Sequence, residues 1–185
     1  MSKIAGIDLG TTFSAIAFLN DLGKAEIAPN YENNQKILPS VVYIDSSNNK
    51  VQVGEKALNA LAAEPDKVVQ AVKKQMENEI VWNTNKGEFV DKNTADVGKD
   101  EYTPAQISAL ILKKLSEFNE GTEKVIVTVP AMFAETARRA TSDAVKIAGL
   151  ELIDLINEPT AAILHYASIP DVDVSGKIMV FDLGG

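Results

Sequence analysis

Two stretches of this sequence place an aspartate, a leucine and a glycine after an apolar run: Ile7-Asp8-Leu9-Gly10-Thr11-Thr12 and Phe181-Asp182-Leu183-Gly184-Gly185. The chemistry such a pattern supports is the binding of phosphate and magnesium. A strand delivers one carboxylate at its end. The glycine lets the next turn approach a ligand closely and aim its amides inward, and Thr11 and Thr12 add hydroxyl donors. Amides and hydroxyls bind phosphate oxygens. The carboxylates of Asp8 and Asp182 suit a hydrated magnesium ion, which keeps its waters and takes few protein ligands. One Asp-Leu-Gly alone is weak, because an aspartate commonly ends a strand before a turn. Two copies, each opening a strand meander, point to duplicated lobes that clamp one nucleotide. The second copy is cut at Gly185, where its loop should continue.

The elements that must position these groups can be read from periodicity. Residues 4–9, 13–19 and 24–28 read as three strands joined by tight turns, an antiparallel meander. Residues 39–45 and 50–53 read as a strand and its hairpin partner. Residues 54–63 and 66–76 read as helical. The polar stretch from 78 to 101 has room for a small hairpin, 80–82 with 88–90. Thr103-Pro104-Ala105-Gln106 is a helix start with a capping box, followed by an apolar face of Ile107, Leu110, Ile111, Leu115 and Phe118. Residues 124–129 form a strand closed by Pro130, and 134–148 a helix with Ala137, Thr141, Ala144, Val145 and Ala148 inward and Gly149 as its cap. A strand at 152–156, a helix at 159–167 and a strand at 178–181 complete the order. Three strands, an insert, then alternating helices and strands predict an α/β fold with a partly parallel sheet, in ribonuclease-H-like order. The units are 1–37 with 102–176, an inserted α+β subdomain at 38–101, and 177–185 as the first strand of a second lobe.

Bulk properties narrow the classes. The 185 residues carry a net charge of −8, which disfavours nucleic acid and anionic membrane as partners. There is no cysteine, which excludes disulfides, cysteine–zinc sites and a cysteine nucleophile. Met1-Ser2-Lys3 leads directly into a strand with no apolar leader or membrane-spanning run, so a cytoplasmic setting is expected.

On residues alone, Lys73 beside Lys74 reads as a solvated helix lysine, Glu158 before Pro159 as a helix-start residue, Pro130 as a strand end, Arg138 and Arg139 as surface charge, and Trp82 as packing. The only histidine, His165, is given no catalytic role. A wider comparison changes several of these readings. Gly6-Ile7-Asp8-Leu9-Gly10-Thr11-Thr12, Leu38-Pro39-Ser40, Val53-Gly54, Tyr102-Thr103-Pro104, Val127-Thr128-Val129-Pro130-Ala131, Ile147-Ala148-Gly149-Leu150, Ile156-Asn157-Glu158-Pro159-Thr160-Ala161-Ala162 and Asp182-Leu183-Gly184-Gly185 fall in one order and spacing over nearly the whole chain. The sequence thereby resembles the ATPase domain of the 70-kilodalton heat-shock chaperones, the DnaK-type family, in its N-terminal, actin-like lobe.

The resemblance implies ATP or ADP with Mg2+ as ligands. It implies that Asp8, Thr11 and Thr12, with Gly10, Gly184 and Gly185 in the turns, hold magnesium-coordinated phosphates. It makes Lys73 the catalytic lysine that neutralises charge on the transferring phosphoryl group. Glu158 and Asp182 match carboxylates that orient the magnesium shell and the attacking water. Pro130 and Arg138 match a pair that passes the nucleotide state onward. The implied partners are a peptide-binding domain, unfolded client proteins and nucleotide-exchange factors.

Two departures stand out. Lys74-Gln75-Met76-Glu77-Asn78 replaces the family's arginine–leucine–isoleucine–glycine–arginine run. Asp154 replaces a basic residue that faces J-domain co-chaperones, which argues against the standard contact. The resemblance also puts the adenosine pocket and the rest of the second phosphate loop beyond Gly185, in a natural or engineered truncation. Weak or no ATP binding and no measurable hydrolysis are therefore expected. Strand 177–181 is expected to fray or to pair with another molecule's edge. The alternatives are another actin-like protein, such as a sugar or glycerol kinase or a bacterial filament protein, and a non-enzymatic interaction lobe. Kinases share the Asp-Leu-Gly turns but not the run from Asn157 to Ala162, and nucleotide binding separates the interaction lobe.

Overall fold

A computed structural model describes residues 3–92, 98 and 100–182. The strands, in chain order, are β1 (Lys3–Asp8), β2 (Phe13–Leu19), β3 (Ala25–Ile27), β4 (Leu38–Pro39), β5 (Val42–Asp45), β6 (Lys50–Val53), β7 (Val68–Val69), β8 (Ile80–Asn83), β9 (Glu88–Asp91), β10 (Glu101–Tyr102), β11 (Thr122–Val129) and β12 (Glu151–Asn157). The helices are α1 (Glu55–Ala60), α2 (Pro104–Ser116), α3 (Glu135–Ile147) and α4 (Glu158–Ala167).

The main sheet runs β12-β11-β1-β2-β3, with β4 paired to β2. β1, β11 and β12 are parallel, and β2 is antiparallel to β1 and to β3. Alternation decides which side of β1 faces inward: Ala5, Ile7 and Leu9 are buried, while Ile4, Gly6 and Asp8 face out. The buried row joins Val125 and Val127 of β11 and Ile107, Ile111, Leu112 and Leu115 of α2 in one core cluster. α2 starts where the capping box requires, with the Gln106 amide donating to Thr103 Oγ1 and the Thr103 amide donating to the Gln106 side chain. α3 packs against α2 and buries Ala137, Thr141, Ala144 and Val145, and Gly149, at φ +81°, turns the chain into β12. A residue with a side chain would pay a steric cost in that left-handed conformation.

Two small antiparallel sheets, β6-β5-β7 and β10-β8-β9, lie between β4 and α2 in sequence. The first contains the expected hairpin, in register Val42 with Val53 through Asp45 with Lys50. The second contains the other expected hairpin, with β10 as a third strand, and Trp82 packs edge-on against Phe89 at 5.2 Å between ring centres. Val42, Ile44, Val69, Val72 and Trp82 belong to the same core cluster as Ile7 and Ile16.

Two expected elements take other forms. The helix expected over 66–76 is a 3-10 turn at Pro65–Lys67, then β7, then a second 3-10 turn at Val72–Gln75. Val68 and Val69 have a helical neighbour pattern with Val72 and Met76, yet they pair antiparallel with Tyr43 and Val42 and are buried there. A β-branched pair gains more from that pleated contact than from a helix turn. The strand expected at 178–181 does not form: residues 177–182 have no regular structure, and Met179 and Phe181 are exposed. A strand needs a neighbour to satisfy its backbone, and residues 177–182 pair with none of the described strands.

Candidate functional site

The parallel register decides where the site lies. β1 and β11 pair Ile7 with Val127, which sets Asp8 level with Thr128, and the Thr128 hydroxyl donates to Asp8 Oδ1 at 2.7 Å. The carboxyl ends of β1, β11 and β12 therefore meet at one edge, where open α/β sheets bind ligands. A cleft of about 1050 Å³ opens there. Its lining brings together Asp8, Gly10, Thr11 and Thr12, then Lys73 and Lys74, then Thr128 and Pro130, and finally Glu158 and Asp182. Gly184 and Gly185 lie outside the described residues.

The first turn is built around Gly10. A Cβ on Gly10 would sit 2.0 Å from the Phe13 carbonyl oxygen, so only glycine fits. The Gly10 amide donates to Ser14 Oγ at 3.1 Å, and its carbonyl accepts from Ser40 Oγ at 2.8 Å. Neither Ser14 nor Ser40 is conspicuous as chemistry in the sequence. The available signal was positional: Ser14 is a polar residue in the inward row of β2, two places before the fully buried Ile16. Thr128 was missed likewise, because its value lies in a contact across 120 residues.

Lys73 reaches the cleft from an irregular segment rather than from a helix. Ala71, at φ +52°, turns the chain in a left-handed conformation immediately before the 3-10 turn that carries Lys73. The lysine is 7% exposed, and its ammonium is ion-paired with the Glu158 carboxylate. Glu158 stands in the first turn of α4, where the helix dipole also favours its charge. The sequence departure after Lys73 has structural work of its own. Met76 is buried and accepts from Ser108 Oγ, and Glu77 Oε1 accepts from the Ala134 amide at 3.3 Å. Ala134, the N-cap of α3, offers no side-chain cap, and the Glu77 carboxylate holds its amide as the carboxylate of a capping box would.

Pro130 lines the cleft, whereas Arg138 ties two of its walls together. Arg138 Nε donates to the Phe133 carbonyl at 3.2 Å, and its Nη2 donates to Asn157 Oδ1 at 2.6 Å. Asn157 thus lends its side chain to Arg138 and not to the cap of α4. Arg139 is exposed, as is His165 near the end of α4.

Among the described residues no three carboxylates or histidines converge as a metal cage. The donors present are oxygens: the Asp8 and Asp182 carboxylates and the threonine hydroxyls. That set fits an ion that retains most of its water and takes phosphate oxygens as ligands.

Fold and cleft together define a class: an α/β module whose parallel strands end in a cleft that gathers carboxylates, threonine hydroxyls and a buried lysine. A model of the family described as HSP70, Hsp70 protein, matches residues 4–185. The chain belongs to that family, and the match corresponds to the N-terminal ATPase lobe of an Hsp70-type protein. The family has the actin-like ATPase fold and binds nucleotide, and the chain is a heat-shock chaperone ATPase module. Among the described residues no helix is long and apolar enough to cross a membrane.

Proposed function

We propose that this chain supplies the triphosphate-and-magnesium side of an ATP-hydrolysing site. The supporting observation is that Lys73, buried and ion-paired with Glu158, opens onto the same cleft as Asp8, Thr11, Thr12 and Asp182. Lys73 neutralises charge on the transferring phosphoryl group, which is the main contribution a protein makes to such a reaction. An incoming phosphate oxygen competes with Glu158 for the ammonium, and the freed carboxylate then orients the attacking water. Asp8 and Asp182 would hold magnesium, and the hydrogen bond from Thr128 fixes the Asp8 carboxylate for that role. Magnesium, when bound, supplies further neutralisation of phosphate charge. Thr11 and Thr12 donate to the phosphates, and the resemblance assigns Gly184 and Gly185 to the same ligand. Residues 1–37 with 102–176 are the ribonuclease-H-like unit, and 38–101 is its insert. The setting is cytoplasmic, and the parent's partners are a peptide-binding domain, unfolded clients and exchange factors. Asp154, exposed on β12, disfavours a J-domain contact through the standard basic site.

Titration with magnesium-ATP up to millimolar concentration, followed by amide resonances, tests the proposal. Shifts at residues 8–12 and 73, weakened in Lys73→Ala, are expected. No shift at any of them would refute it.

A further inference from the structure

Four groups around Gly10 form a closed ring of hydrogen bonds. The Gly10 amide donates to Ser14 Oγ, Ser14 and Ser40 share a bond of 2.8 Å between their hydroxyls, and Ser40 Oγ donates to the Gly10 carbonyl. Each hydroxyl has one proton. Ser40 spends its proton on the carbonyl, so Ser14 must donate to Ser40, and the ring runs in one direction: amide to Ser14, Ser14 to Ser40, Ser40 to carbonyl. Both serines are shut away from solvent, at 1% and 2% exposure. Ser40 holds the loop a second time, since its own amide donates to the Thr12 carbonyl at 2.8 Å. The Gly10 amide, the Gly10 carbonyl and the Thr12 carbonyl are thereby held by two serines that are not themselves among the residues lining the cleft.

We infer that Ser14 and Ser40 are positioning residues for phosphate: the directional ring fixes the orientation of the 10–12 loop, and with it the loop's affinity for phosphate. The inference rests on the nucleotide reading above. It also assigns the Gly10 amide to the ring, which leaves the phosphate to the groups that follow it. Ser40 lies just past β4, so the ring fastens the beginning of the inserted segment to the phosphate loop of the main sheet.

Removing either hydroxyl leaves a buried polar atom without its partner, a loss of the size that costs about tenfold or more in an equilibrium that depends on the loop's geometry. The test compares the wild-type chain with Ser14→Ala, Ser40→Ala and Ser108→Ala. Ser108 is equally buried, against Met76, and serves as control. The readouts are hydrogen exchange at the Gly10 amide and titration with magnesium-ATP and with magnesium-tripolyphosphate, a probe that lacks adenosine. The expected result is slow Gly10 exchange in the wild type and in Ser108→Ala, and exchange at least tenfold faster in the two ring variants. Affinity for both probes should fall about tenfold in those two variants and stay unchanged in the control. Ring variants that fold, lose Gly10 protection and still bind as wild type overturn the inference, as does rapid Gly10 exchange in the wild type. If Ser40→Ala does not fold, Ser14→Ala and the wild-type exchange rate decide. A wild type that binds neither probe while Gly10 stays protected overturns the nucleotide reading, and the phosphate role of the ring with it.

Discussion

Replacing Lys73 with methionine isolates the charge of the buried lysine while keeping most of its stem. The side chain of Lys73 retains 8% of its surface and that of Glu158 retains 21%. At a contact distance of about 2.8 Å and an effective dielectric of about 20, their attraction is about 6 kcal/mol, most of it offset by the desolvation of both ions. Deleting one partner of a fully buried pair costs about 3–5 kcal/mol, because the other charge is stranded. Glu158 keeps a fifth of its surface in water, so we expect about 2–3 kcal/mol. In a chain of this size that is a melting point lower by about 4–12 °C. Glu158→Gln should cost less, since glutamine still accepts a hydrogen bond. The double variant should recover part of the loss, with a coupling of about 1–2 kcal/mol in a cycle of four thermal unfolding curves. Single effects that add to within about 0.5 kcal/mol would show that the ion pair does not operate in solution. The competition between phosphate and Glu158 for Lys73 would then lose its physical basis.

Three further outcomes are expected. Asp45 is buried and accepts from the Ser47 amide and hydroxyl, from Asn48 and from Lys67. These bonds, Ser47's foremost, hold its carboxyl well below the usual range. Its contribution is complete above about pH 4, the unfolded value, and is lost as pH falls from there toward the lower folded value. In Asp45→Asn, urea midpoints should fall less steeply between about pH 5 and pH 2, and an unchanged slope would exclude this network as a source of acid sensitivity. Gly10→Ala forces a Cβ onto the Phe13 carbonyl, which should cost about 1–3 kcal/mol and abolish the amide shifts on phosphate titration. Thr103→Ala removes one half of the capping box on α2 and should cost about 1 kcal/mol, or about 2–4 °C in thermal unfolding, without altering nucleotide shifts.

The elements most legible in the sequence were those whose cause is local. The capping box of α2 is four consecutive residues, and the alternation of Ala5 and Ile7 needs nothing beyond β1 itself. The segment from 66 to 76 was misread because its spacing of Val68, Val69, Val72 and Met76 is helical, while its actual partners, Val42 and Tyr43, lie far back in the chain. The same division runs through the site. Asp8, Lys73 and Glu158 could be placed from motifs, and they line one cleft. Ser40 and Thr128 stand in motifs yet were given no role, and Ser14 stands in none, since each matters through a contact that closes a long stretch of chain: 26 positions between the two serines and 120 between Thr128 and Asp8. Arg138 fell between these cases, as its motif position was legible and its bridging contacts were not.

The pairing of β1 with β11 has a kinetic consequence. The bond between Asp8 and Thr128 closes 120 residues, and the ion pair between Lys73 and Glu158 closes 85. Closures of that length are entropically late events in folding, after hairpins such as β5–β6 and β8–β9 have formed from their neighbours. The cleft therefore has no precursor in a partly folded chain: it exists only once the central strands have met. A ligand that bridges Asp8, Lys73 and Glu158 would staple together segments from both ends and the middle of the sequence. Its stabilisation should then appear as a rise in the global unfolding temperature that grows with free ligand, and as slower exchange across the main sheet, not as the quietening of a single loop.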